Sequence, residues 1–130
     1  MRSRPGATGL LAAFVMAFGL AGCGSSAPQP DASRAIAAKF LDEIRSNHAA
    51  EAWQSTTAEF KSARGKEAFV REVRADKALK AEMAFVSQQA VKVQDEERPE
   101  LLFRGGDREI RIVLGREGNE WKVDRWTHSK

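Results

Sequence analysis

The chain has 130 residues with one Cys, two His and no Tyr, and it is 42% apolar, 30% charged and 8% aromatic. That length fits one domain; the lone Cys excludes an internal disulfide and a cysteine-rich zinc site, and the missing Tyr excludes phenol chemistry. The formal charge is +3, but Arg2 and Arg4 lie ahead of Cys23 and every acid lies after it, so downstream 19 basic residues face 18 acidic ones. A body so nearly neutral lacks the basic field that nucleic-acid binding needs, and no nucleic-acid partner is expected.

The mean hydropathy of −0.45 averages two different materials. Met1 to Arg4 carries two positive charges and no acid, and Leu10 to Leu20 then reads LLAAFVMAFGL, an apolar run of 11 residues. A membrane-spanning helix needs about 20. A charged start, a short apolar middle and a small-residue exit are the parts of a secretory signal peptide, here residues 1–22. Arg2 and Arg4 are separated by Ser3, so the general secretory route is expected rather than a twin-arginine one.

The exit, Leu20-Ala21-Gly22-Cys23, resembles the lipobox of bacterial lipoproteins. The resemblance implies that the Cys23 thiol takes a diacylglyceryl group, that cleavage precedes it, and that its new amine is acylated with a fatty acid such as palmitate. Two or three acyl chains add about 0.8 kcal/mol per buried CH₂ and make attachment long-lived. Gly24, rather than Asp, follows the Cys. The resemblance then implies the periplasmic face of the outer membrane in a two-membrane cell, or otherwise the outer face of the cytoplasmic membrane. Residues 23–32 form the lipidated Cys and a tether: Gly24 to Pro30 holds two prolines and no large apolar residue, a composition that cannot bury surface. Ten residues to Ser33 reach at most about 33–36 Å, which keeps the folded part close to the bilayer.

Residues 33–130 read as one α+β domain, with three to four helices packed on a curved, cone-like four-stranded antiparallel sheet. Asp31 or Ser33 is a plausible N-cap, and Ile36, Phe40, Leu41 and Ile44 form one apolar stripe. Asn47-His48 breaks that helix, and Asn47 can cap a second over Ala49 to Gln54. Thr56-Thr57-Ala58-Glu59 has capping-box spacing for a third, and Gly65 ends it. Lys66 to about Lys80 places Phe69, Val70 and Val73 on one face, with Glu67–Arg71 and Asp76–Lys80 as i,i+4 pairs. From Ala84 the period changes to two. Phe85 to Val93 is a strand, Gln94 to Pro99 a polar turn, and Leu101 to Phe103 a short strand. Gly105-Gly106-Asp107 is a hairpin signal. Arg108 to Leu114 alternates cleanly, Gly115 to Asn119 turns, and Trp121 and Val123 alternate with Lys122 and Asp124, with Trp126 off the beat.

Ala38 to Ile44, Ala52 to Phe60 and the closing Asn119-Glu-Trp-Lys-Val-Asp-Arg125 resemble the small nuclear-transport-factor-like, or cystatin-like, α+β domains of bacterial lipoproteins. That resemblance implies a sheet curled around a long helix, leaving a pocket or a homodimer face. Enzymes of the superfamily place Asp, His or Tyr in the cone; no position here matches a catalytic motif, so no catalytic residue is assigned.

The site candidates follow from residue type. Trp53, Phe60, Phe69, Phe85 and Trp121 either line a cavity with Arg111 as its polar group or fill the core. Lys61 to Lys80 holds seven basic and three acidic residues, with Arg71, Arg74, Lys77 and Lys80 stepping by three; this is either a solvated face or a contact for anionic head groups. His48 and Glu51 sit at i,i+3 without a third ligand, so no metal is expected. Ser55, Thr56 and Thr57 lack a neighbouring base and read as caps, while Asp95, Glu96, Glu97 and Glu100 read as a solvated turn. His128 lies near the chain end and is expected to fray. No cofactor is expected. The reading is a membrane-anchored envelope lipoprotein, non-catalytic, binding a partner protein or a small apolar ligand. The alternatives are an enzyme of the cone-like fold using an acid in its cavity, or a structural subunit of an envelope assembly.

Overall fold

The computed structural model describes residues 29–129. The expected signal peptide, the lipobox-like segment with Cys23 and most of the expected tether lie outside the described residues. The described residues form four α-helices followed by a four-stranded antiparallel open sheet, an α+β fold. No helix of the described residues is long and apolar enough to cross a membrane.

Helix α1 spans Pro30–Arg45, earlier than either cap expected from sequence. Proline is tolerated at a helix start because its missing N–H would be unpaired there anyway. Ser33 is instead a buried first-turn residue whose hydroxyl donates to the Gln29 carbonyl at 3.3 Å. The expected stripe is the buried face: Phe40, Leu41 and Ile44 are buried and Ile36 is half-buried. Asn47, at φ 65°, turns the chain out of α1, but it does not cap α2 (Ala49–Gln54), which is preceded by His48 without a side-chain bond. Helix α3 (Ala58–Ala63) is capped one residue later than the capping-box spacing predicts. Thr57, not Thr56, accepts from the Phe60 N–H at 3.2 Å. Helix α4 is Lys66–Ala75, and Gly65 precedes it in an extended conformation. It stops short of Lys80 because the Asp76 carboxylate accepts from the Ala78 N–H at 3.0 Å and starts a separate 3-10 turn, Lys77–Lys80.

The strands are β1 (Ala84–Val93), β2 (Glu96–Gly105), β3 (Arg108–Glu117) and β4 (Glu120–Ser129), in the spatial order of the sequence. Each is longer than its apolar pattern alone shows. The expected six-residue turn before β2 is only Gln94 and Asp95, both at positive φ, a tight turn that carries Glu96, Glu97 and Glu100 into the strand rather than an acidic loop. Pro99 sits within β2 opposite Ala90, just before β3 joins the sheet at Glu100; a residue without an N–H is tolerated where no third strand is bonded. His128 is not frayed: it pairs with Ile110 in the ladder, its ring 5.5 Å from that of Trp126.

The off-beat Trp126 has a simple cause. The β3–β4 register runs Leu114 with Val123 but Val113 with Arg125, so Asp124 is an extra residue in β4. A bulge of this kind resets the alternation and lets Val123 and Trp126 both face the helices. The core then gathers Leu101, Phe103, Ile110, Ile112, Leu114, Val123 and Trp126 from the sheet beneath Phe40, Phe60 and Phe69. Phe69 is fully buried, its ring centroid 5.6 Å from Phe60, 6.0 Å from Phe40 and 6.0 Å from Trp126. The pairs with Phe60 and Trp126 are edge-to-face, and such contacts add about 0.5–1.5 kcal/mol per pair beyond area burial.

Candidate functional site

The six residues read as a pocket do not share one among the described residues. Phe60 and Phe69 fill the core. Trp53 packs on its rim, its indole N–H donating to the Arg64 carbonyl at 2.8 Å. Phe85 stacks edge-on with Phe103 at 5.7 Å, and the Arg34 guanidinium lies 4.6 Å over its ring. Trp121 sits partly buried opposite Arg116 near the last hairpin. Arg111 points away from all of them. Ile110 and Ile112 face the helices, so strand alternation sends Arg111 to the other side, where it pairs with Glu100 at 3.4 Å.

The basic stretch is divided rather than continuous. Arg71 and Arg74 lie on α4, but the helix ends at Ala75, which takes Lys77 and Lys80 out of the stripe. Neither expected i,i+4 pair forms. Asp76 faces Arg108 at 3.6 Å, Lys80 donates to Asn47 at 2.6 Å, and Glu72 pairs with Arg64 at 3.2 Å. Among the described residues, Lys66, Arg71, Arg74 and Lys77 form no ion pair. Three of these four cations, Lys66, Arg71 and Arg74, line an open cleft of about 690 Å³ between α2 and α4. Its apolar wall is Ala50, Val70 and Ala75, and Glu67 is its one acid.

A second constellation escaped the sequence reading. Asp124, at the bulge, is buried, and both of its carboxylate oxygens are engaged: Oδ1 accepts from the Thr57 hydroxyl at 2.7 Å and Oδ2 from Arg98 Nη1 at 2.7 Å. Arg98 is buried as well and lies 3.5 Å from Glu96. Gly115 makes the room, since a Cβ there would come within 3.0 Å of the Asp124 side chain. The ion pair joins β2 to β4 across β3, and the hydroxyl ties the α2–α3 connection to the edge of β4, where the Thr57 N–H also donates to the Val123 carbonyl at 3.0 Å. A carboxylate held at both oxygens by a cation and a hydroxyl acts as a fastening between these elements. The signal in the sequence was an acid at the point where the alternation of Val123 and Trp126 breaks.

Beside it, Glu117 reaches the start of α3. Its carboxylate accepts from the Ala58 N–H at 2.6 Å and from Lys122 at 3.2 Å. The backbone donor first, and Lys122 second, hold this carboxyl below the ordinary carboxylate range. A lowered folded-state pKa gives stability that is present above the unfolded value and lost as pH falls through the folded one. Thermal melts of Glu117→Gln are therefore expected to lie below those of the parent at neutral pH and to converge with them in acid. A constant gap down to low pH would contradict this.

His48 and Glu51 gain no third ligand. Among the described residues no three His, Cys, Asp or Glu side chains come together as a metal site. Comparison with protein-family models, with curated proteins and with solved structures gives no match to this chain.

Proposed function

We propose that this chain is a lipid-anchored envelope lipoprotein whose small α+β domain is a non-catalytic accessory module, engaging an envelope partner through its surface. The observation that carries the reading is Leu20-Ala-Gly-Cys23 after a short apolar run and before a proline-containing tether. The domain's interior supports a surface role rather than a hollow one: Phe40, Phe60, Phe69 and Trp126 occupy the space between helices and sheet. The buried acid that an enzyme would need, Asp124, is already committed to Thr57 and Arg98. Four helices followed by a four-stranded meander fit the nuclear-transport-factor-like resemblance.

The test is affinity capture from detergent-solubilised envelopes, with mass spectrometry of co-purifying proteins and small molecules. The reading expects a protein that leaves with the bait. Recovery of the bait alone, or of a small apolar molecule in stoichiometric amount, would contradict it.

A further inference from the structure

We propose that the α2–α4 cleft seats the phosphate-bearing head group of an anionic lipid, in the bilayer to which Cys23 ties the chain. This rests on the lipid-anchor reading and adds a second, weaker attachment that fixes how the domain lies on the surface.

Charge is the first argument. Lys66, Arg71 and Arg74 line the cleft against the single carboxylate of Glu67. The acids that would otherwise neutralise α4 are turned elsewhere, Glu72 to Arg64 and Asp76 to Arg108. Two arginines and a lysine bordering one opening suit a phosphate, which takes bidentate bonds from arginine. The wall is the second argument. Ala50, Val70 and Ala75 give the cleft an apolar side that a free phosphate ion has no use for, whereas a lipid brings its glycerol and the start of its acyl chains to that surface.

Reach is the third. Helix α1 begins at Pro30, seven residues after Cys23, so the tether spans at most about 25 Å. Helix α1 is itself about 24 Å long, and α2, which carries Ala50, follows it after three residues. The anchor therefore keeps the cleft within a few tens of ångströms of the bilayer, where it can meet a head group. The tether holds the cleft at high effective concentration of lipid, so three individually weak contacts suffice.

The experiment uses the full acylated chain in nanodiscs of phosphatidylcholine, with or without one-third phosphatidylglycerol. The acetylation rate of Lys66 by a water-soluble reagent is read by mass spectrometry, with Lys92 on the sheet as reference. Lys66 is expected to react about tenfold more slowly in the anionic discs, with Lys92 unchanged, and the double variant Arg71→Glu, Arg74→Glu, at exposed positions, is expected to remove the difference. Equal Lys66 rates in the two discs would overturn the proposal. So would slowing produced in phosphatidylcholine discs by inorganic phosphate, which would make the ligand a free ion, or slowing that requires added envelope extract, which would make it a protein. The same spectra report the lipid on Cys23; its absence would overturn the anchoring reading, and this one with it, whereas equal rates on a lipidated chain overturn only this one.

Discussion

Asp124→Ala is expected to lower the unfolding free energy by about 3 kcal/mol, because it leaves the buried Arg98 guanidinium with only the more distant, partly exposed Glu96 carboxylate. The Arg98 side chain is only 9% exposed. The Thr57 hydroxyl loses its acceptor in the same step, worth about 1 kcal/mol more. For a domain whose whole stability is about 5–15 kcal/mol, this is a large fraction, and it reads directly as a fall in urea midpoint. Arg98→Met tests the same link from the other end. The double variant is expected to lose much less than the sum of the two singles, since removing both partners leaves no uncompensated charge. Additive losses would mean that the two groups act separately and that the pair does not join β2 to β4. Asp124→Asn, which keeps the shape and one acceptor, is expected to fall between the parent and Asp124→Ala.

Cys23→Ser is expected to abolish labelling by radioactive fatty acid and to move the protein out of the membrane fraction. The thiol is the nucleophile that forms the lipid thioether, and a serine hydroxyl is far too weakly acidic to replace it. The remaining apolar run, 11 residues from Leu10 to Leu20, is too short to span a bilayer in its place. Each buried CH₂ of the missing acyl chains removes about 0.8 kcal/mol of membrane affinity. Undiminished labelling in this variant would remove the lipoprotein assignment and leave the apolar run in need of another explanation.

The sequence was most legible where one pattern repeated. The stripe of Phe40, Leu41 and Ile44 and the alternation of Ile110 and Ile112 both gave the buried faces found in the structure, because a period held over two turns or four strand positions has one solution. Boundaries were harder where a side chain, rather than a pattern, decides them. Asp76 cuts α4 short by capping a new turn, and the turn at Gln94 and Asp95 needs positive φ at both residues, which glycine would have announced and these residues do not. Arg111 sits between Ile110 and Ile112 yet turns to the other side of the sheet from Phe60 and Phe69, since one step along a strand changes the face. The Thr57–Asp124–Arg98 fastening was out of reach for a different reason. Its members come from a loop and two strands, 67 and 26 residues apart, and only the bulge brings them together. The cleft beside Arg71 and Arg74 was half visible: the cations were counted, but Lys66 joins them, and Lys77 and Lys80 leave them, only through the packing of α4 on α2.

The most direct measurement is the intact mass of the native protein purified from membranes. The account predicts a mature chain that begins at Cys23 and carries a diacylglyceryl group with an acylated amine; a chain that begins unmodified at Met1 would contradict it.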